Sequence, residues 1–171
     1  MEEKTHPFVE YLESLRERED RGALAALRRG LGHQPGTVPA MYPYVVRWLP
    51  EETSRWKETV YYLIAALFAY HPKEGGGKGN LGNHFADARD PQGNNTAIER
   101  RFTALLAAHP DDLDVYLRQA ISFLKSKDVA VNWHQLFYDV RSWGYPDSRE
   151  YVQKNWARAF WGWRQHEKED D

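Results

Sequence analysis

Apolar side chains recur three and four positions apart along nearly the whole chain, and no run alternates apolar and polar residues over the length of a strand. This pattern predicts an all-α fold. A first helix opens near Thr5 and Pro7, proline being suited to a first turn, and carries Phe8, Tyr11, Leu12 and Leu15 on one side. Asp20 is placed to cap a short second helix, GALAALRRG, that ends at glycine. The Pro/Gly segment GHQPGTVPAMYP interrupts the pattern; a brief helix then passes through Tyr44, Val45 and Trp48 and stops at Pro50. From Thr53 or Ser54 to about Tyr70 runs a helix that is apolar nearly all round, with Trp56, Val60, Leu63, Ile64 and Leu67 on one side and Tyr61, Tyr62 and Phe68 elsewhere. Such a helix belongs at the centre of a fold.

Beyond it, His71 to Asn95 lacks periodicity and reads as a long loop. Thr96 with Glu99 has the form of a capping box for a helix reaching His109, with Ile98, Phe102, Leu105 and His109 on one face. Asp111 or Asp112 is placed to begin the next helix, to about Lys127, with Leu113, Leu117, Ala120 and Leu124 inward. Asn132 with Gln135, then Asp147 with Glu150, start the last two. The final helix ends near Gly162, with Val152, Trp156, Ala159 and Phe160 inward and Trp161 on the other side with Lys154 and Arg158. The expectation is one domain over 1–171: a bundle of seven or eight helices, a flexible glycine-rich loop at about 71–95 and a frayed acidic tail at about 164–171.

A chain of 171 residues that is 42% hydrophobic suits one domain with a core of ordinary size. The net charge of -2 argues against an indiscriminate polyanion binder. Charge is segregated, however: the first twenty residues hold three basic and seven acidic side chains and the last ten hold two and four, leaving the body with a surplus of four positive charges. With no cysteine there is neither a disulfide framework nor a thiolate nucleophile, which suits a reducing compartment. The acidic start MEEKTHPFVEYLE does not resemble a signal peptide, and the apolar run Val60 to Tyr70 is well short of the roughly 20 residues a bilayer requires. The chain reads as soluble and cytoplasmic, with no membrane partner.

The segment EGGGKGNLGNHF, residues 74 to 85, invites comparison with a phosphate-binding loop. That motif needs a glycine where Pro72 stands, a hydroxyl where Gly79 stands, and a preceding strand rather than a helix. Lys78 is left as a candidate phosphate contact. His71, His84, Asp87 and Asp90 have neither metalloprotease nor calcium-loop spacing, and Asp111, Asp112 and Asp114 suit a helix start. No nucleophile elbow is present, so nothing demands an enzyme, a metal or a cofactor, and a nuclease using these aspartates ranks behind the binding readings. The arginines are more informative. Arg100 points away from the apolar face of its helix and Arg101 lies on the flank, while Arg118 and Lys125, seven apart, stack on an exposed edge with Ser122. Arg28 sits near the Leu24 and Leu31 face and Arg29 further out. Guanidinium groups suit bidentate contacts to phosphate.

The ordered series AALRRG, VPAMYPYV, the aromatic helix, AIERRFTALLAA, YLRQAISFLK, VNWHQLFYDVRSWG and NWARAFW resembles the CasB family, the small subunit of the type I-E CRISPR surveillance complex Cascade, over roughly Gly22 to Trp161. The resemblance implies an all-α, non-catalytic subunit without cofactor that binds nucleic acid regardless of sequence. It also implies partners: other Cascade subunits, the crRNA and target DNA, and a second copy in a head-to-tail dimer that helps hold the RNA-DNA hybrid and displaced strand of the R-loop. By motif, Arg28 and Arg29, Arg100 and Arg101, and Arg118 match the family's arginines, and Lys125 and Lys127 fall near the basic end of the same helix. The competing reading is a helical adaptor whose arginines meet only acidic protein partners.

Overall fold

In a computed structural model that describes residues 4–162, nine α-helices and three short 3-10 turns account for the regular structure, with no strand among the described residues. The helices are α1 Pro7–Glu17, α2 Arg21–Arg28, α3 Tyr42–Val45, α4 Arg55–Tyr70, α5 Leu81–Asp87, α6 Thr96–Leu106, α7 Leu113–Ser126, α8 Trp133–Trp143 and α9 Pro146–Trp161. The all-α expectation holds, and no described helix is long and apolar enough to cross a membrane. The acidic tail expected at 164–171 lies outside the described residues.

The core is built around α4, whose residues from Val60 to Ala69 are all buried. Helices α1, α2, α3, α7 and α8 pack against it, α9 lies on α8 and α5, and α6 lies on α7. Three indole N–H groups taken into this core find acceptors. Trp56 Nε1 donates to the carbonyls of Val140 and Arg141, Trp143 Nε1 to Ala108 at 2.9 Å, and Trp156 Nε1 to the buried carboxylate of Asp139 at 2.8 Å. Each of those bonds fixes the register of one helix against another, because a buried indole N–H left unpaired costs about 1–3 kcal/mol.

Three starts follow the expected capping chemistry: Asp20 accepts from Ala23 N, Ser54 from Lys57 N and Asn132 from Gln135 N. Four details differ. The 71–95 segment is not one loop, because α5 lies within it, capped by a reciprocal pair between Asn80 and Asn83, and this helix takes the count to nine. The Thr96 box does not form: Asn95 is the cap residue, and the Thr96 hydroxyl turns back to Asn94 Oδ1. His109 lies beyond the end of α6, which stops at Leu106, and it is exposed, its Nδ1 accepting from Asp111 N at the turn Pro110–Asp112. Finally α9 begins at Pro146, which puts Asp147 in the first turn rather than at the cap.

The glycines before α5 are fastened to their surroundings. Arg16 donates to the Pro72 carbonyl at 3.2 Å and lies 3.5 Å from Glu74, Lys73 pairs with Asp128 at 2.8 Å, and Asn132 Nδ2 donates to the Gly79 carbonyl at 3.0 Å. A Cβ on Gly76 would stand 2.4 Å from the Val131 backbone. Glycine at this position is needed for the close approach of the two backbones.

Candidate nucleic-acid interface

Four elements meet along one open groove of about 630 Å³: the loop after α2, the end of α4, the middle of α6 and the C-terminal part of α7. Leu31, Tyr70, Arg101, Arg118, Ser122 and Phe123 line it, with no carboxylate among the lining residues. The basic side chains come from different helices, and each is held by something other than an acid.

At the end of α4 the last carbonyls lack helical partners and carry the negative end of the helix dipole. Two cations cover them. Arg28 reaches the Ala69 carbonyl at 3.5 Å, and Lys125 Nζ donates to the Tyr70 carbonyl at 2.9 Å while standing 4.1 Å from the centre of the Tyr70 ring. The Tyr70 hydroxyl in turn bonds Ser122 Oγ at 3.3 Å, so ring, serine and lysine form one unit. Further along α7, Phe123 turns an 8% exposed ring toward the groove, with the Arg101 guanidinium 5.1 Å and Lys127 Nζ 5.9 Å from its centre. A cation over an aromatic face keeps its charge and its outward N–H donors. Arg118 lies against the loop after α2, where a Cβ on Gly32 would meet its guanidinium at 2.7 Å. Gly32 has φ of +78°, a conformation that favours glycine, and its missing side chain is what gives Arg118 room.

Of the candidates read from the sequence, Arg101 and Arg118 line the groove, and Arg28, Lys125 and Lys127 stand beside it through their contacts to the Ala69 carbonyl, Tyr70 and the Phe123 ring. Arg29 caps the C-terminus of α2 and Arg100 lies on α6; both are exposed, and neither lines the groove. Lys78 lines a different groove, beside the glycines. Ion pairs among the described residues involve Arg16, Lys73, Lys154, His109 and His134, and none of the eight candidates. Sequence reasoning missed Tyr70 and Phe123, the platforms that hold three of the cations. Their signal was present, each being an aromatic two or more positions from a basic residue, but only tertiary contact joins Tyr70 to Lys125.

The aspartates considered for metal chemistry do not converge. Asp90 accepts from Gln92 N in a turn, Asp111 and Asp112 form an exposed 3-10 turn, and no group of three His, Asp or Glu side chains among the described residues is arranged to hold a metal ion. Histidines serve the fold instead. His84 Nε2 accepts the backbone N–H of Asn132 at 2.9 Å, and burial holds its pKa down to about 4.

The model of the CRISPR-associated protein Cse2 family matches residues 23–161. The chain belongs to the CasB/Cse2 family. A curated CRISPR-associated protein Cse2 from Thermus thermophilus is 32% identical over 158 residues, 91% of this chain and 88% of that relative. The crystal structure of M. ruber CasB is 34% identical, covers 95% of this chain and 94% of its own, and superposes with a TM-score of 0.75. A chain from a CRISPR RNA-guided surveillance complex shares the fold, with a TM-score of 0.73 at 24% identity over 93% of this chain and 98% of that one. The CasB/Cse2 match takes in α6 and α7 entirely, and with them Arg101, Arg118 and Lys125.

Proposed function

We propose that this CasB/Cse2 chain is a non-catalytic, sequence-independent nucleic-acid-binding subunit of an RNA-guided CRISPR interference complex, a Cascade, in the cytoplasm. It holds the backbone of the crRNA-DNA hybrid and of the displaced strand of the R-loop. Its partners are other Cascade subunits, crRNA, target DNA and a second copy of itself. The observation that carries this reading is a groove lined by Arg101 and Arg118 and flanked by Arg28, Lys125 and Lys127, in which carbonyls and aromatic rings position Arg28, Arg101, Lys125 and Lys127, Arg118 lies against the Gly32 loop, and none of the five pairs with a carboxylate among the described residues. A cation neutralised by an acid offers little to a phosphate, whereas one set in place by a ring or a carbonyl keeps its full charge. Family membership, and a fold shared with a chain of a CRISPR RNA-guided surveillance complex, support the assembly.

The physical task matches. Backbone contacts from such a groove give binding that weakens with salt and ignores sequence. R-loop formation exchanges one duplex for another of about equal stability, so a few phosphate contacts are enough to bias it. Assembly adds further copies and a guide backbone, and so raises the effective concentration of each groove for its strand.

Affinity-tagged chain isolated from cells expressing a type I-E system is expected to carry crRNA and other Cascade subunits, read by RNA sequencing and mass spectrometry. Recovery without RNA or subunits would contradict the assembly. Mobility shift of the isolated chain separates it from a helical adaptor, which would bind no DNA even at low salt.

A further inference from the structure

A second groove, sharing no lining residue with the first, runs between α8 and α9 to the glycine segment. Two concavities of about 750 and 580 Å³ join there through Glu13, Gly77, Asn132 and His134. Its acids are mostly spent internally. Glu13 accepts from His134 and faces Arg16, and Asp139 accepts from Gln135 Nε2 at 2.9 Å and from Trp156. Asp87, at the Lys78 end, is an acid without a partner among the described residues.

What the groove leaves uncommitted is a stripe on α9 and a lysine. Tyr151, Asn155 and Arg158 follow one another at spacings of four and three, hence on one helix face. Tyr151 is 70% exposed, and no ring, hydrogen bond or ion pair among the described residues holds it. Arg158 and Lys78 have no carboxylate partner among the described residues. An exposed tyrosine flanked by a free guanidinium, a free ammonium and side-chain amides is the set that takes a single-stranded nucleotide: a π face for the base, cations for the flanking phosphates, amides for a base edge. In a free protein the same tyrosine exposes apolar area to water with no packing return.

We infer that this groove is a second nucleic-acid site, one that stacks an unpaired base on Tyr151 and holds its neighbouring phosphates with Arg158 and Lys78. It rests on the reading of the chain as a nucleic-acid-binding subunit, and adds to a backbone-only groove a contact that requires a base. A single strand occupies it; a duplex keeps its bases stacked and does not.

The test compares a fluorescein-labelled twelve-residue thymidine strand with an abasic strand of the same length, both titrated with the full chain at 50 mM salt. The wild type should prefer the thymidine strand about tenfold, the range that one base stacked on an aromatic ring supplies. Tyr151→Ala should abolish that preference and leave the abasic strand's affinity unchanged; Tyr151→Phe should restore it. Lys78→Ala with Arg158→Ala should weaken both strands and lower the salt slope. Equal wild-type affinity for the two strands, or a preference that survives Tyr151→Ala, would overturn the inference and leave the groove to a protein partner. Arg101→Ala with Arg118→Ala keeps the two claims apart. If that pair weakens the abasic strand while no base preference exists, only the second site fails; if neither strand binds wild type, both fail.

Discussion

Removing the titratable ring of His84 should flatten the response of stability to acid, and the size of the effect follows from one hydrogen bond. His84 is 4% exposed and must be neutral to accept the Asn132 N–H that opens α8. Its pKa is lowered by burial from 6.5 to about 4. Below pH 6.5 the unfolded chain takes up a proton that the folded chain refuses until about pH 4, so stability falls as pH drops through that window. At about 1.36 kcal/mol per pKa unit, the loss by pH 4.5 is about 2–3 kcal/mol, a large share of the roughly 5–15 kcal/mol that holds a domain together. Two other groups titrate nearby. His6, brought to about 4 by burial and then by Arg141, acts in the same direction, and Asp139, raised to about 6 by burial, acts in the opposite one because its folded form takes the proton first. Both are present in the wild type and in His84→Gln, whose amide oxygen can accept the same N–H, so the difference between the two proteins isolates His84. Urea unfolding followed by tryptophan fluorescence from pH 7.5 to 4.5 should show the wild type losing about 2–3 kcal/mol more than the variant. Parallel pH profiles would refute the assignment of His84 as a neutral buried acceptor.

Gly82→Ala should destabilise by about 3 kcal/mol or more, because its Cβ would lie 2.1 Å from the Trp156 carbonyl oxygen where α5 crosses α9; a urea midpoint unchanged from wild type would show that the crossing is looser. Asp139→Asn should stabilise by about 1–2 kcal/mol at pH 7, since it removes a buried charge whose ionised form is penalised, and a Gln135 amide flip keeps both hydrogen bonds; a loss of stability at pH 7 with the fold intact would argue against that penalty.

The helices that were legible in the sequence are those whose signal is local. Asp20, Ser54 and Asn132 each cap the helix they precede, and the all-round apolar pattern of α4 translates directly into its central place. Helix α5 was hidden because its evidence is distant. It offers only Leu81 and Phe85 at helical spacing, and Gly82, which counts against a helix on propensity, is required by the Trp156 backbone from the far end of the chain. His109 shows the reverse error, in which spacing extended a face past the point where the helix had ended. For the site, periodicity placed Arg101 on the flank of its helix and Arg118 and Lys125 on an exposed edge. That they gather round one groove depends on Tyr70 and Phe123 from separate helices, and no spacing rule connects those.

The central claim is that five cations in and beside one groove, none of them paired with a carboxylate among the described residues, bind phosphates together, and the salt dependence of binding tests it most directly. Anisotropy of a labelled duplex, which the second groove does not take, titrated with the full chain should give a slope of log K against log salt near -4.5, about 0.9 for each of five cations, so affinity falls about 500-fold between 50 and 200 mM salt. Arg101→Ala with Arg118→Ala should bring the slope to about -2.7 whatever the duplex's sequence. Equal slopes for the two proteins, or no binding by the wild type at 50 mM salt, would contradict it.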